Sequence, residues 1–90
     1  MKAAKNLRDH GVSFEKAKEV FSDPNQVTSR DYHIQDQGEQ RFGIIGLTFE
    51  LILVMAVYVD RSEADAEIIH IISARKADKY ERRAYEDQFS

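Results

Sequence analysis

The stretch "EIIHIISARKADKYERRAYED" (residues 67–87) decides the architecture. Its first half is an apolar run rich in β-branched isoleucine that stops at Ser73, which predicts a strand over residues 67–73. Asp78 and Glu81 then stand at the spacing of an N-cap and its N3 partner, so a closing helix starts as a capping box at Asp78 and runs to about Gln88. Arg75, Lys76, Lys79, Arg82 and Arg83 crowd this hand-over from strand to helix, in a chain whose formal net charge is −3.

Upstream, "RSEADA" (61–66) reads as a polar loop and "LILVMAVYV" (51–59) as the central strand, apolar on both faces and therefore covered on both. "RFGIIGL" (41–47) is another strand, "QDQGE" (35–39) a turn, and "QVTSRDYHI" (26–34) a polar edge strand. "VSFEKAKEVF" (12–21) is helical. Ser13 is its N-cap, Glu15 favours the N-terminal dipole, Val12 staples onto Ala17, and Phe14, Ala17, Val20 and Phe21 form the buried stripe. "SDPN" (22–25) ends that helix, since Pro24 is disfavoured in a helix interior and restricts Asp23 before it. "KAAKNLRDHG" (2–11) predicts a short preceding helix closed by Gly11. Helix, helix, three or four consecutive strands and helix make an α+β domain over residues 1–90, with a mainly antiparallel sheet.

Composition narrows the function classes. Ninety residues suffice for one core and no second domain. With no cysteine there is no disulfide framework or thiolate zinc site, and cytoplasm is the expected compartment. The longest apolar run is about half of the roughly 20 residues that a spanning helix needs, so no membrane role is expected. A mildly acidic total argues against nonspecific coating of nucleic acid but permits a local basic site.

Lys79, Arg82 and Arg83 stand at i, i+3 and i+4 on one helix face, with Arg75 and Lys76 just before the cap. One reading is a phosphate-binding patch, because guanidinium forks suit phosphate oxygens. The other is a solvated face whose cations pair with Glu81, Glu86 and Asp87. His10 beside Gly11 serves equally as a proton-transfer group or a C-terminal cap. His33 lies in a polar stretch, and His70 sits in the last strand with Ile68 and Ile72 on its face, which predicts a buried or half-buried residue. Glu39 and Arg41 flank Gln40 and form either an exposed ion pair or part of a site. Neither a metal-ligand spacing nor a phosphate-binding glycine loop occurs, so no cofactor is expected.

The words "KNLRDHGVSFEKAKEVFSDP" (5–24), "GEQRFGIIG" (38–46) and "HIISARKADKYERRAYE" (70–86) come in the order and spacing of the BrnT family, which the chain resembles over nearly its whole length. That family comprises ribonuclease toxins of a bacterial type II toxin and antitoxin system. The resemblance implies a RelE-like fold, RNA cleavage without a metal, and neutralisation by a ribbon-helix-helix antitoxin in a hetero-oligomer that contacts DNA only through the antitoxin. It directs the search for functional positions to His10, Glu39, Arg41, Arg75, Arg82 and Tyr85, with Arg75, Lys76, Lys79, Arg82 and Arg83 holding RNA. The competing expectation is a noncatalytic toxin-like module that binds RNA or a partner protein.

Overall fold

The computed structural model describes residues 11–36 and 39–90, with 29–36 and 39 described as backbone only. The helix expected over residues 2–11, and His10 with it, lies outside the described residues, as does the tip of the expected 35–39 turn. Helix α1 spans Phe14–Lys18 and tightens into a 3-10 turn over Glu19–Ser22. Strands β1 (Val27–Asp36), β2 (Glu39–Leu47), β3 (Leu53–Asp60) and β4 (Ile69–Lys76) follow. Helix α2 spans Lys79–Glu86 and ends in a 3-10 turn over Asp87–Phe89. The four strands pair in chain order, β1-β2-β3-β4, and every pairing is antiparallel. Among the described residues the expected α+β class, antiparallel sheet and closing helix are borne out.

Local chemistry sets the helix boundaries. The Ser13 hydroxyl accepts from the Lys16 N–H at 3.1 Å, which satisfies one of the orphan donors at the α1 N-terminus. At α2 the capping box is complete, with the Glu81 N–H donating to Asp78 Oδ1 at 2.8 Å and the Asp78 N–H donating to Glu81 Oε1 at 2.9 Å.

Strand alternation sorts the core into two layers. Ile44, Val54, Ala56, Ile71 and Ala74 face α1, where Val12, Ala17 and Val20 complete one cluster and Phe14, Phe21 and Tyr58 flank it. Ile45, Leu53 and Met55 face the other way and pack beneath Tyr85 of α2. The central strand β3 is thus covered on both faces, but it starts at Leu53 and not at the expected Leu51, and Leu51 and Ile52 of the apolar run lie exposed in the turn before it. At Gly46 the 3-10 turn approaches so closely that a Cβ would lie 3.0 Å from Val20 Cβ and 3.1 Å from the Val20 carbonyl oxygen, so a side chain there would press the turn away from β2.

Two irregularities depart from the expected pattern. β1 and β2 shift register between Ser29 and Ile34, and β4 carries one extra residue opposite β3, since Val57 pairs with Ser73 while Tyr58 pairs with Ile71. That bulge at Ile72 puts Ile71 and Ala74 on one face and swings His70 to the other, where it is exposed opposite Val59. The buried or half-buried His70 expected from simple alternation is therefore corrected, because one added residue inverts the face of everything upstream of it. β4 also runs past Ser73 to Lys76, so Arg75 and Lys76 are strand residues paired with Met55 and Val54.

Candidate functional site

The β4 to α2 junction gathers most of the sequence-predicted positions that fall among the described residues. Because neighbouring strand residues point to opposite faces, Arg75 turns toward the α2 side of the sheet and Lys76 toward the α1 side. Lys76 instead lines a cleft with Val12, Lys16 and Val54. The five cations expected to form one patch are therefore split.

Arg75 is held by a fork. Its Nη1 donates to Glu81 Oε1 and its Nη2 to Glu81 Oε2, both at 2.8 Å, and Nη1 also reaches the Lys76 carbonyl oxygen at 3.3 Å. The Glu81 side chain is 7% exposed and that of Arg75 35%, so the carboxylate is almost wholly enclosed while the guanidinium keeps one side toward solvent. The same Glu81 carboxylate closes the capping box. One acidic residue thereby fixes both the start of α2 and the orientation of Arg75.

On α2 the buried positions are Glu81 and Tyr85, one turn apart. At 3.6 residues per turn this leaves Lys79, Arg82, Arg83 and Glu86 on the opposite, outward face, and all four are exposed. Arg82 comes within 3.9 Å of Glu86, and Lys79 lies 5.3 Å from the centre of the Tyr80 ring. Of the pairing expected for the helix cations, the contact of Arg82 with Glu86 is present, while Glu81 pairs with Arg75 of β4, and Lys79, Arg82 and Arg83 form an outward surface beside Arg75.

Tyr85 is 5% exposed, and its hydroxyl donates to Asp23 Oδ2 at 2.6 Å. The same oxygen accepts the Leu47 N–H at 2.8 Å, at a point on β2 beyond the first β1 pair, Val27 with Ile45. Asp23 Oδ1 accepts the Asn25 N–H at 2.8 Å. Burial works to raise the Asp23 carboxyl, but the hydrogen bonds from Tyr85, Leu47 and Asn25 outweigh it and hold the group below its usual range. Burial and the Asp23 carboxylate push the Tyr85 phenol up to about 12. Tyr85 therefore stays protonated at neutral pH, and its proton points into the protein rather than toward the exposed cations.

Arg41 stands on the same sheet face as Ile45, by alternation along β2, and pairs with Val59. Val59 in turn pairs with His70, so Arg41 and His70 flank Val59 in one cross-strand row. Ser73 and Arg75 continue that face along β4. His70 is the residue whose placement sequence reasoning missed, and only knowledge of the bulge would have revealed it. β2 begins at Glu39, whose side chain, like all of His10, lies outside the described residues. Among the described residues no three histidine or carboxylate side chains gather to hold a metal ion, and no helix is long and apolar enough to cross a membrane.

Comparison with curated proteins gives no match. The sequence model of the family described as "Ribonuclease toxin, BrnT, of type II toxin-antitoxin system" matches residues 1–81. The matched span contains His10, Glu39, Arg41, Arg75, Lys76 and Lys79, whereas Arg82, Arg83 and Tyr85 follow it. With nine-tenths of its length inside that match, the chain belongs to the BrnT family of ribonuclease toxins of type II toxin-antitoxin systems.

Proposed function

We propose that this chain is an endoribonuclease that cleaves RNA without a metal, at a site on the α2 side of the sheet beside the β4 to α2 junction, within a RelE-like fold. The observation that carries the reading is the guanidinium of Arg75, clamped by the enclosed Glu81 carboxylate next to the exposed cations of α2, all in a chain of a ribonuclease family. A clamped guanidinium is a pre-organised donor, and such donors are most effective where charge develops in a transition state.

In the proposed reaction a ribose 2′-hydroxyl attacks the adjacent phosphorus while a base takes its proton. The bond from phosphorus to the 5′-oxygen breaks, and that oxygen takes a proton from an acid, leaving a 2′,3′-cyclic phosphate and a 5′-hydroxyl. Arg75 and Arg82 stabilise the charge on the phosphoryl oxygens. Lys79 and Arg83 hold the flanking RNA backbone, Lys76 reaches it from the far side of the strand, and Arg41 orients the chain along the sheet face. His10 or Glu39 moves the proton, and His70 joins them as a candidate by its place in the row with Arg41. Tyr85 serves as a positioning residue that seats α2 through Asp23. A ribbon-helix-helix antitoxin neutralises the toxin and supplies its only link to DNA.

A second reading is favoured by one observation: both the Arg75 guanidinium and the Tyr85 hydroxyl are engaged by carboxylates of the protein itself. On that reading the chain binds RNA or a partner without cutting. Incubating the purified chain with RNA in EDTA separates the two, since cleavage supports the nuclease and retention of intact RNA supports the binding module.

A further inference from the structure

We infer that the tip of the β2–β3 hairpin is the docking point for the antitoxin, through a partner segment that presents apolar side chains to Phe49 and Leu51 and a carboxylate to Lys76. This rests on the antitoxin partner of the preceding section but not on where the nuclease site lies. Phe49 is 71% exposed, Leu51 75% and Ile52 39%. Half of the six large exposed hydrophobic side chains among the described residues thus fall within four positions, and such clustering marks an interaction surface in a way that scattered exposed residues do not.

The tip is braced. The Thr48 N–H donates to the Ile52 carbonyl and the Leu51 N–H to the Thr48 carbonyl, both at 2.9 Å, and the Ile52 N–H donates to the Thr48 hydroxyl at 3.2 Å. Glu19 of the 3-10 turn accepts the Phe49 N–H at 2.9 Å, and Glu50 pairs with Lys16 of α1. A hairpin tied to a helix in this manner presents its side chains already ordered, which lowers the cost of binding.

Leu51 supplies a second, independent observation. Its φ is +64°, in the left-handed region where glycine or asparagine is favoured and a leucine is strained. Glycine there would relieve both the strain and the exposed apolar surface, so a leucine at this position is disfavoured by the fold and by water alike. A partner that buries it accounts for the residue.

Charge selects a protein rather than RNA as the occupant. The charged groups beside the tip are Glu19 and Glu50 with Lys16 and Lys76, two of each sign, so no cationic surplus draws in a polyanion and the exposed apolar side chains set the partner's chemistry. Beside them runs the cleft floored by Val12, Ile52 and Val54 and closed by Lys76, which suits an apolar segment ending in an acidic residue. The tip also adjoins the proposed site, because the Ala77 N–H donates to the Leu53 carbonyl at 3.0 Å. A segment that runs from Leu51 past Lys76 reaches Ala77, where β4 hands over to α2.

The test uses the full chain co-purified with the product of the adjacent reading frame, with L51G, F49S and the double variant. Each single variant is expected to weaken the complex about tenfold and the double about a hundredfold, mostly through faster dissociation. L51G should melt no lower than the parent, and RNA cleavage by the free chain should be unchanged. An unaltered affinity in the double variant overturns the inference, as does failure of the parent chain to bind the adjacent product. Loss of RNA binding with antitoxin affinity intact, or loss of self-association alone, equally overturns it. A parent chain that binds the antitoxin through the tip but cuts no RNA would sink the nuclease reading and leave the docking surface standing.

Discussion

Replacing Arg75 with alanine should unfold the chain more readily than removal of a surface charge would. The variant strips two 2.8 Å hydrogen bonds from the Glu81 carboxylate and leaves it enclosed, with the Asp78 N–H still donating to it. Removing one partner of a fully buried pair costs about 3–5 kcal/mol. The Arg75 side chain is 35% exposed, so water entering the vacated space should screen part of that loss and bring it to about 2 kcal/mol. For a domain of this size that corresponds to a fall in Tm of roughly 10 °C. Urea denaturation and thermal melting of R75A, E81M and the R75M/E81M double variant measure it. The double variant should recover part of the loss, because two apolar side chains leave no stranded charge, while the Asp78 N–H still loses its capping-box acceptor. It should also cut RNA at least about a hundredfold more slowly than the parent, since a folded protein without the guanidinium lacks its transition-state donor. An R75A that melts within about 1 °C of the parent would refute the structural reasoning, and a folded double variant with full cleavage would remove Arg75 from the site.

Further outcomes follow from the same geometry. Asp23 has a folded pKa below its usual 3.8, so its contribution to stability is complete above about pH 4 and is lost as the pH falls through the lower folded value. D23N should destabilise by about 1–2 kcal/mol at pH 7 and flatten the acid limb of a stability profile between pH 2 and pH 5, and an unchanged limb would count against the role of Asp23. Replacing Lys79, Arg82 and Arg83 together with alanine should change stability by less than about 1 kcal/mol. The same triple variant should weaken RNA binding and reduce its slope against log salt by about 2, read by fluorescence anisotropy at several salt concentrations.

Much of this fold is legible where chemistry is local. Ser13, Asp78 and Glu81 declare their helix ends by spacing alone, because a cap involves residues two or three apart. The apolar run declares the doubly covered strand β3, though not that Leu51 and Ile52 at its start stay exposed in the preceding turn. What escapes is what depends on distant residues. Asp23 and Tyr85 are 62 positions apart, and nothing in either segment announces the other. The bulge at Ile72 is set by pairing with β3, and it alone brings His70 round to the face of Arg41. The cations were visible in the sequence, but their division between the two faces needed the end of β4, which the polar residues Ser73, Arg75 and Lys76 hide. Glu81 fits its expected place in the capping box, but the cation it holds is Arg75 of β4 and not one of the helix cations that its spacing suggests.

The most direct test of the central claim is the chemistry of the cut ends. Purified parent chain, without antitoxin and with excess EDTA, is incubated with a defined RNA, and the fragments are mapped by mass spectrometry. The account predicts fragments that end in a 2′,3′-cyclic phosphate and begin with a 5′-hydroxyl, formed at the same rate with and without the chelator. RNA that is bound but left intact, or cleavage that stops in EDTA and returns only with a divalent ion, would contradict it.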